Sequence, residues 1–123
     1  SKECEWQEAA FGMLGLETAL SIVQMTMVDS GLLSWEQVAD RLSHAPARIG
    51  RYSGQGEKVA VGSFANLVVI NPTKSWRVDR DLVLSNSTNT PYHGHDLPGF
   101  VEHTFFKGKQ TVVNGSVIGK EAI

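Results

Sequence analysis

The sequence predicts an α/β chain with helices in its first part and β-strands in its second. Up to about Tyr52, apolar residues recur at helical spacing; after it, short apolar or alternating runs lie between Gly, Asn and Pro. The 123 residues therefore divide into segments 1–52 and 53–123. With 41% hydrophobic residues, a chain of this length fits one unit with an ordinary core rather than two.

Charge, cysteine usage and hydropathy exclude several classes of protein. Eleven Lys and Arg against thirteen Asp and Glu give a net charge of −2, without the basic stripe of a nucleic-acid-binding or membrane-surface protein. No apolar run approaches the roughly 20 residues of a membrane span, and no signal-peptide pattern opens the chain. The single cysteine, Cys4, excludes an internal disulfide and favours a reducing, cytoplasmic location.

Apolar stripes predict the first two helices, over about 16–29 and 35–43. The first stripe contains Leu16, Ala19, Leu20, Val23 and Met27, and the second contains Trp35, Val38, Ala39 and Leu42.

Residues with known end preferences mark the boundaries of these helices. Gly31 is placed to end the first helix in left-handed geometry. Ser34 and Gln37 form a capping-box pattern at the start of the second. Pro46 fits the first turn of a third, short helix through Ile49. Two glycines are placed to end that helix, Gly50 and Gly54.

The second segment predicts strands joined by tight turns. The continuous apolar run 65–70, which Asn71-Pro72 follows and ends, is typical of a strand covered on both faces. Lys107-Gly108-Lys109 predicts a reversal, and Asn114-Gly115 is a strong hairpin signal. Further strand residues are predicted at 76–78, 100–106, 110–113 and 116–118. The polar residues 84–99, rich in Ser, Asn and Gly, form a long connecting segment, called the arm below.

The residues alone point to no complete catalytic apparatus. His93 and His95 are one residue apart beside Asp96, and with His103 they contain enough ligand types for zinc, but the spacing matches no known set of three or four ligands. Such a pair in a Gly/Pro loop more often faces solvent. Cys4 has no CxxC partner and is flanked by carboxylates that disfavour a thiolate. No G-x-S-x-G nucleophile elbow is present.

Five stretches nevertheless resemble dihydroorotases, in the order of that family. The pair formed by G-L-E-T in the first stretch and S-x-N-T-P-Y in the fourth is fairly specific, whereas the A-N-L strand resembles many amidohydrolases. The stretches are FGMLGLETAL (11–20), LSHAPARIG (42–50), GSFANLVVINP (62–72), the S-x-N-T-P-Y arm with its following glycines (87–99) and TFFKGKQTVV (104–113). Two positions depart from the family pattern: Asn66, usually Asp, and His44, often Asn.

The resemblance implies that the chain is the C-terminal segment of a metal-dependent enzyme. Such enzymes have a (β/α)₈ barrel, which takes ~250 residues, and a small flanking β-sandwich. Residues 1–52 would then be the last βα-loop and the C-terminal helices of the barrel. Residues 53–123 would be strands of the sandwich, with the arm at 84–99. The fold would be incomplete by itself, so both apolar stripes should lie on an extended exposed surface.

The resemblance also implies an activity, a cofactor and partners. The reaction would be the reversible cyclisation of N-carbamoyl-L-aspartate to dihydroorotate in pyrimidine biosynthesis, with zinc as the cofactor. The family's metal ligands and catalytic aspartate all precede the position that matches Ser1, so we expect no catalytic and no metal-binding residue in this segment. Expected partners are the N-terminal remainder of the same enzyme, a small-molecule substrate and further copies in a homo-oligomer.

One element of the substrate site does fall within the segment. Phe11 and Gly12 match a Pro-Gly or Phe-Gly step whose backbone contacts the substrate in the family. Physical chemistry agrees, because glycine lets a backbone approach a ligand closely and a βα-loop at the C-terminal face of a barrel is where substrates bind. The alternative is that Gly12 and Gly15 merely turn the chain into the first helix.

Two other functions remain open on the sequence alone. The chain could belong to another cyclic amidohydrolase, such as a hydantoinase or an allantoinase. It could instead belong to a catalytically silent dihydroorotase-like subunit that binds aspartate transcarbamoylase.

Overall fold

A computed structural model describes residues 5, 7–8 and 12–119 of the chain. In this range, helices precede a four-stranded antiparallel sheet whose strand order follows the sequence. The prediction of an α/β chain with helices first is therefore confirmed at this level. Cys4 and Phe11 lie outside the described residues.

The first helix begins at Ala19, three residues later than the apolar stripe predicts. It consists of α1 (Ala19–Val23) and a π-helical turn (Gln24–Val28). Gly31 has a φ of +77° and donates its N–H to the carbonyl of Val28 at 2.9 Å, so it ends the helix as predicted.

The second helix starts with the predicted capping box. The Ser34 hydroxyl accepts from the Gln37 N–H at 3.3 Å, and the Gln37 side-chain oxygen accepts from the Ser34 N–H at 2.8 Å. These bonds satisfy two N–H groups that have no partner within a helix. They open α2 (Trp35–Ala39).

The predicted short third helix is confirmed, with Pro46 in its first turn, but helical structure runs into it without a break from the second helix. A π-helical turn (Asp40–His44) joins α2 directly to α3 (Ala45–Gly50). A proline removes one N–H and its ring clashes with the carbonyl four residues earlier. The wider turn shifts the bonding before the proline, since the Ala45 N–H donates to Asp40 rather than to Arg41.

The end of α3 differs from the prediction in its left-handed residue. Gly50 is the last helical residue, and Arg51 rather than a glycine adopts the left-handed conformation, with a φ of +54°. A Cβ at Gly50 would lie 2.8 Å from the Tyr52 ring, so a larger residue there would require the exposed Tyr52 side chain to shift.

The sheet contains β1 (Leu67–Arg77), β2 (Asp96–Phe106), β3 (Lys109–Val113) and β4 (Ser116–Val117). Two boundaries differ from the prediction. Pro72 does not end β1, because the strand continues through an irregularity between Asn71 and Ser75 at the edge of the sheet, where proline is tolerated. The last four residues of the arm, 96–99, belong to β2 rather than to a loop.

Both predicted reversals are confirmed by their backbone angles. Lys107 and Gly108 have φ values of +50° and +81°, and Asn114 and Gly115 have values of +48° and +80°. Two successive residues with positive φ are the signature of the two-residue turns that match the right-handed twist of a hairpin.

The described part of the chain has a small core. Its buried hydrophobic side chains are Val38, Val78 and Leu97. The expectation that strand 65–70 is covered on both faces is wrong for this part of the chain, because Val68 and Val69 are 48% and 39% exposed. The physical reason is that β1 is an edge strand and the described residues place no second layer over these side chains.

The apolar stripes of the helices are uncovered only in part: Leu16, Met27, Ala39 and Leu42 are exposed, whereas Ala19, Leu20, Val23 and Trp35 are half-buried. Leu16 is 92% exposed and Leu42 is 48% exposed, whereas Val38 of the second stripe is buried. Outside the stripes, Ile49 and Phe64 are also exposed. A monomeric protein rarely leaves so many large apolar side chains in water unless another surface covers them.

A buried polar seam joins the first helix to the sheet. The Ser21 hydroxyl donates to the carbonyl of Gly99 in β2 at 3.1 Å and accepts from the Trp76 indole N–H in β1 at 2.9 Å. One turn later, the Gln24 amide donates to the carbonyl of Pro72 at 2.8 Å. Ser21 and Gln24 are 2% and 3% exposed, so these bonds form away from water.

The seam requires a glycine at position 99. Gly99 has a φ of +79°, and a Cβ there would overlap the side-chain oxygen of Gln24. That oxygen is buried without a hydrogen-bond partner among the described residues, so the Cα–H of Gly99 is the group that faces it.

Removing the Ser21 hydroxyl should destabilise the protein far more than removing an exposed one. Ser21→Ala leaves the Trp76 indole and the Gly99 carbonyl without their partner, which costs about 2 kcal/mol. Ser30→Ala is the matched control, because its exposed hydroxyl bonds only within its own helix. Thermal unfolding measures both, and equal melting temperatures for the two variants would contradict the importance of the seam.

The exposed apolar side chains should make the 123-residue chain prone to self-association when it is purified alone. We expect it to bind a hydrophobic dye such as ANS and to self-associate at micromolar concentration. Dye fluorescence and sedimentation velocity test this expectation. A monomer that binds no dye would show that the exposed side chains are covered within the chain itself.

Candidate substrate-contacting loop

The candidate site is the short segment 12–15, called the glycine loop below, which leads into α1. Gly12 is exposed and has a φ of +69°, and a Cβ built on it would meet no atom of the described residues within 4 Å. At the other end, the Gly15 carbonyl accepts from the backbone N–H and the hydroxyl of Thr18, both at 3.2 Å. The loop thus presents open backbone at one end and is tied to the helix at the other.

The arm holds the glycine loop in place. The side-chain amide of Asn89 donates to the carbonyl of Gly12 at 2.6 Å, and the Leu14 N–H donates to the backbone carbonyl of Asn89 at 2.9 Å. One residue of the arm therefore makes one contact on each side of Met13. Sequence reasoning missed this pairing, which joins residues 77 positions apart.

A second contact joins the start of the arm to the loop. The carboxylate of Glu17 accepts from the backbone N–H groups of Leu84 and Ser85, at 3.1–3.2 Å. Glu17, the E of G-L-E-T, thus accepts hydrogen bonds from the arm. Asn89, the N of S-x-N-T-P-Y, donates one to the glycine loop. The only signal for these contacts in the sequence is that both motifs occur in it. That signal does not specify how far apart the two motifs lie in space.

The histidines of the arm are bonded to their own surroundings. The Nδ1 atom of His93 accepts from the Arg80 N–H at 3.1 Å, which requires that this nitrogen carries no proton. The ring of His95 lies edge-on to Tyr92, with centroids 6.3 Å apart. His103 is hydrogen-bonded to Gln110 on the neighbouring strand, at 3.1 Å.

The residues described by the structure do not fit a metal ion. Among them, no three His, Cys, Asp or Glu side chains are grouped so that they could hold one. His93 and His95 thus form no metal cluster with Asp96 or His103. Cys4 lies outside the described range.

His44 and Asn66, the two departures from the family pattern, have structural partners. His44 donates through Nδ1 to the carbonyl of Gly56. The Asn66 side chain donates to the carbonyl of Gly54 at 2.6 Å and accepts from the Lys107 N–H at 2.7 Å. An aspartate could make only the second bond, because a carboxylate has no N–H.

No family model matches the chain, but named relatives match almost all of it. The chain is 53% identical to a dihydroorotase from Streptomyces coelicolor over 116 residues, which are 94% of the chain and 27% of the relative. It is 43% identical to the Leifsonia xyli dihydroorotase, over 96% of the chain and 27% of the relative. It is 44% identical to the Mycobacterium tuberculosis dihydroorotase, over 92% of the chain and 26% of the relative.

The resemblance to dihydroorotases is confirmed. The chain is similar to dihydroorotases over nearly its whole length, and it spans about a quarter of the length of the curated relatives it matches.

Solved structures agree with the fold of this dihydroorotase-like segment. An L-hydantoinase from Arthrobacter aurescens matches with a TM-score of 0.79 and 30% identity, over 89% of this chain and 24% of the other. A D-hydantoinase (dihydropyrimidinase) from Thermus sp. matches with a TM-score of 0.79 and 23% identity, over 94% and 25%. Within residues 12–119, no helix is long and apolar enough to cross a membrane.

The dihydroorotase-like segment should bind no stoichiometric zinc by itself, because its described residues group no three side chains that could hold the ion. The purified chain is dialysed against zinc and its metal content is measured, with dihydroorotate hydrolysis assayed in parallel. A tightly bound zinc that disappears in His93→Ala or His95→Ala would contradict this expectation and restore the histidine pair as a metal site.

Proposed function

We propose that the chain is the C-terminal part of a dihydroorotase that interconverts N-carbamoyl-L-aspartate and dihydroorotate in pyrimidine biosynthesis. The observation that carries the proposal is the 53% identity to a dihydroorotase over 94% of the chain. The two most specific motifs also meet in the structure: Glu17 of G-L-E-T bonds to the arm, and Asn89 of S-x-N-T-P-Y bonds to the glycine loop.

In this proposal, the backbone at Phe11 and Gly12 contacts the substrate. Gly12 supports it with two properties: it is exposed, and it has open space where a side chain would be. A ligand oxygen or ring could therefore approach the backbone closely. The chain's own contribution to the reaction is to bind and orient the substrate, while the residues that carry out the chemistry lie outside this segment.

The proposed division of the chain follows the change from helices to strands. Residues 1–52 would complete a (β/α)₈ barrel, and residues 53–123 would form part of a small β-sandwich. The exposed side chains of Leu16 and Met27 in the first stripe, and of Val68 and Val69 in the edge strand β1, support this division, since they lack a covering layer among the described residues.

The remaining features of the proposal concern the complete enzyme. The N-terminal remainder would cover the exposed side chains of the stripes and supply the ligands of zinc, because the described residues contain no suitable group. The enzyme would act in the cytoplasm as a homo-oligomer, and aspartate transcarbamoylase is the partner to test if the protein proves to be inactive.

A hydantoinase is the second candidate, since the solved neighbours include an L-hydantoinase with 30% identity. The higher identity to dihydroorotases, 43–53%, favours the first. Assays of the full-length protein with dihydroorotate and with hydantoins distinguish the two. Turnover of hydantoins without turnover of dihydroorotate would overturn the proposal.

Gly12→Ala tests the proposed substrate contact in the full-length enzyme. We expect KM to rise or kcat/KM to fall by at least about tenfold, equivalent to about 1.4 kcal/mol, because a β-carbon would crowd the ligand or tilt the peptide.

Gly62→Ala is the matched control. Gly62 also has a positive φ, +90°, and a Cβ at this position would have nothing within 4 Å, but the residue lies in the loop before β1. Both variants should lose about 1 kcal/mol of stability from left-handed strain, and Gly12→Ala alone should change the kinetics. Unchanged kinetics in Gly12→Ala, with a lowered melting temperature, would show that this glycine is purely structural.

A further inference from the structure

We propose that Asn89 is a positioning residue of the substrate site: its side chain fixes the orientation of the Gly12–Met13 peptide group. This inference rests on the proposed function of the glycine loop and assigns a task to a residue of the arm.

The geometry follows from the two hydrogen bonds of Asn89. Its side-chain amide donates to the Gly12 carbonyl at 2.6 Å, and its backbone carbonyl accepts from the Leu14 N–H at 2.9 Å. A peptide group is planar and trans, so its N–H points opposite to its C=O. Because the Gly12 carbonyl points to Asn89, the N–H of Met13 points away from the arm. That N–H is then oriented toward a carbonyl or carboxylate oxygen bound on the opposite face of the loop.

Gly12 makes this control necessary. With a φ of +69° and no side chain, its backbone can rotate among several conformations, and each would redirect the neighbouring peptide. A hydrogen-bond donor to the Gly12 carbonyl stabilises one of these conformations before substrate binds. The loop then loses less conformational entropy when the substrate binds. Glu17 supports the same arrangement, because its carboxylate anchors the beginning of the arm.

The side-chain chemistry of Asn89 suits the task. A carboxylate at this position has no N–H and would place negative charge against the Gly12 carbonyl. Alanine would remove the side-chain hydrogen bond to the Gly12 carbonyl but keep the backbone hydrogen bond from the Leu14 N–H. The two substitutions therefore change the side-chain contact and leave the backbone contact in place.

The test measures kinetics and thermal unfolding of the full-length enzyme for Asn89→Ala and Asn89→Asp. We expect the KM for dihydroorotate to rise about fivefold in Asn89→Ala, equivalent to about 1 kcal/mol, a single neutral hydrogen bond. Asn89→Asp should raise it at least as much. In both variants kcat should change less than about twofold, because the chemical step is carried out elsewhere.

Asn66→Ala is the matched control. Asn66 also donates its side-chain amide to a glycine carbonyl at 2.6 Å, that of Gly54, but far from the glycine loop in sequence and partners. The Asn66→Ala substitution should lower the melting temperature and leave the KM for dihydroorotate unchanged. If Asn66→Ala raises KM as much as Asn89→Ala does, the rise in KM comes from a general loss of stability and not from the lost contact with Gly12, and the proposal is wrong.

Two results separate the failure of this inference from the failure of the proposed function. If Gly12→Ala raises KM but both Asn89 variants keep the wild-type KM, the loop binds substrate and Asn89 does not position it. If Gly12→Ala and the Asn89 variants all keep the wild-type KM, the proposed substrate contact fails, and the role of Asn89 fails with it.

Discussion

The hydroxyl of Ser21 is the interaction on which the arrangement of this chain depends. It is bonded to the Trp76 indole in one strand and to the Gly99 carbonyl in the next, so a single buried group fixes the first helix against two strands. Hydrogen bonds are directional, whereas apolar contacts tolerate sliding. With a core as small as this one, the polar seam sets the position of the helix, and therefore of the glycine loop that leads into it.

The same seam also positions the arm. Gly99 is its last residue, and just before it the backbone bonds of Val78 to His95 and Gly94, at 2.9 and 2.8 Å, extend the pairing of β1 and β2. The other end of the arm is held by the Glu17 carboxylate. The arm is thus fixed at both ends, by the sheet and by the first helix, and Asn89 lies between these two points. A loop of this length keeps a defined contact with Gly12 because both of its ends are fixed.

Local signals in the sequence were reliable where neighbouring residues determine the structure. The capping box of Ser34 and Gln37 and the Asn114-Gly115 turn formed as predicted, because their hydrogen bonds and φ angles depend on a few adjacent residues. Pro46 lies in the first turn of α3 as predicted, whereas Pro72 misled the prediction, since an edge irregularity that depends on more distant bonding accommodates it within β1. Gly12 was selected as a candidate from resemblance, but its contact with Asn89 spans 77 positions, and no local pattern encodes that distance.

Stability and function of this segment are therefore linked through its exposed surfaces. The hydrogen bonds that hold the loop and the arm, at Gly12, Glu17 and Leu84, lie in exposed surroundings where water competes with them, so each contributes little by itself. Leu16, which begins the apolar stripe directly after the loop, is 92% exposed. A surface that covered this stripe would exclude water from the adjacent hydrogen bonds and strengthen them. The proposed remainder of the enzyme would thus complete the core and stiffen the glycine loop in the same step, so the proposed substrate contact could form on backbone that is exposed in this segment.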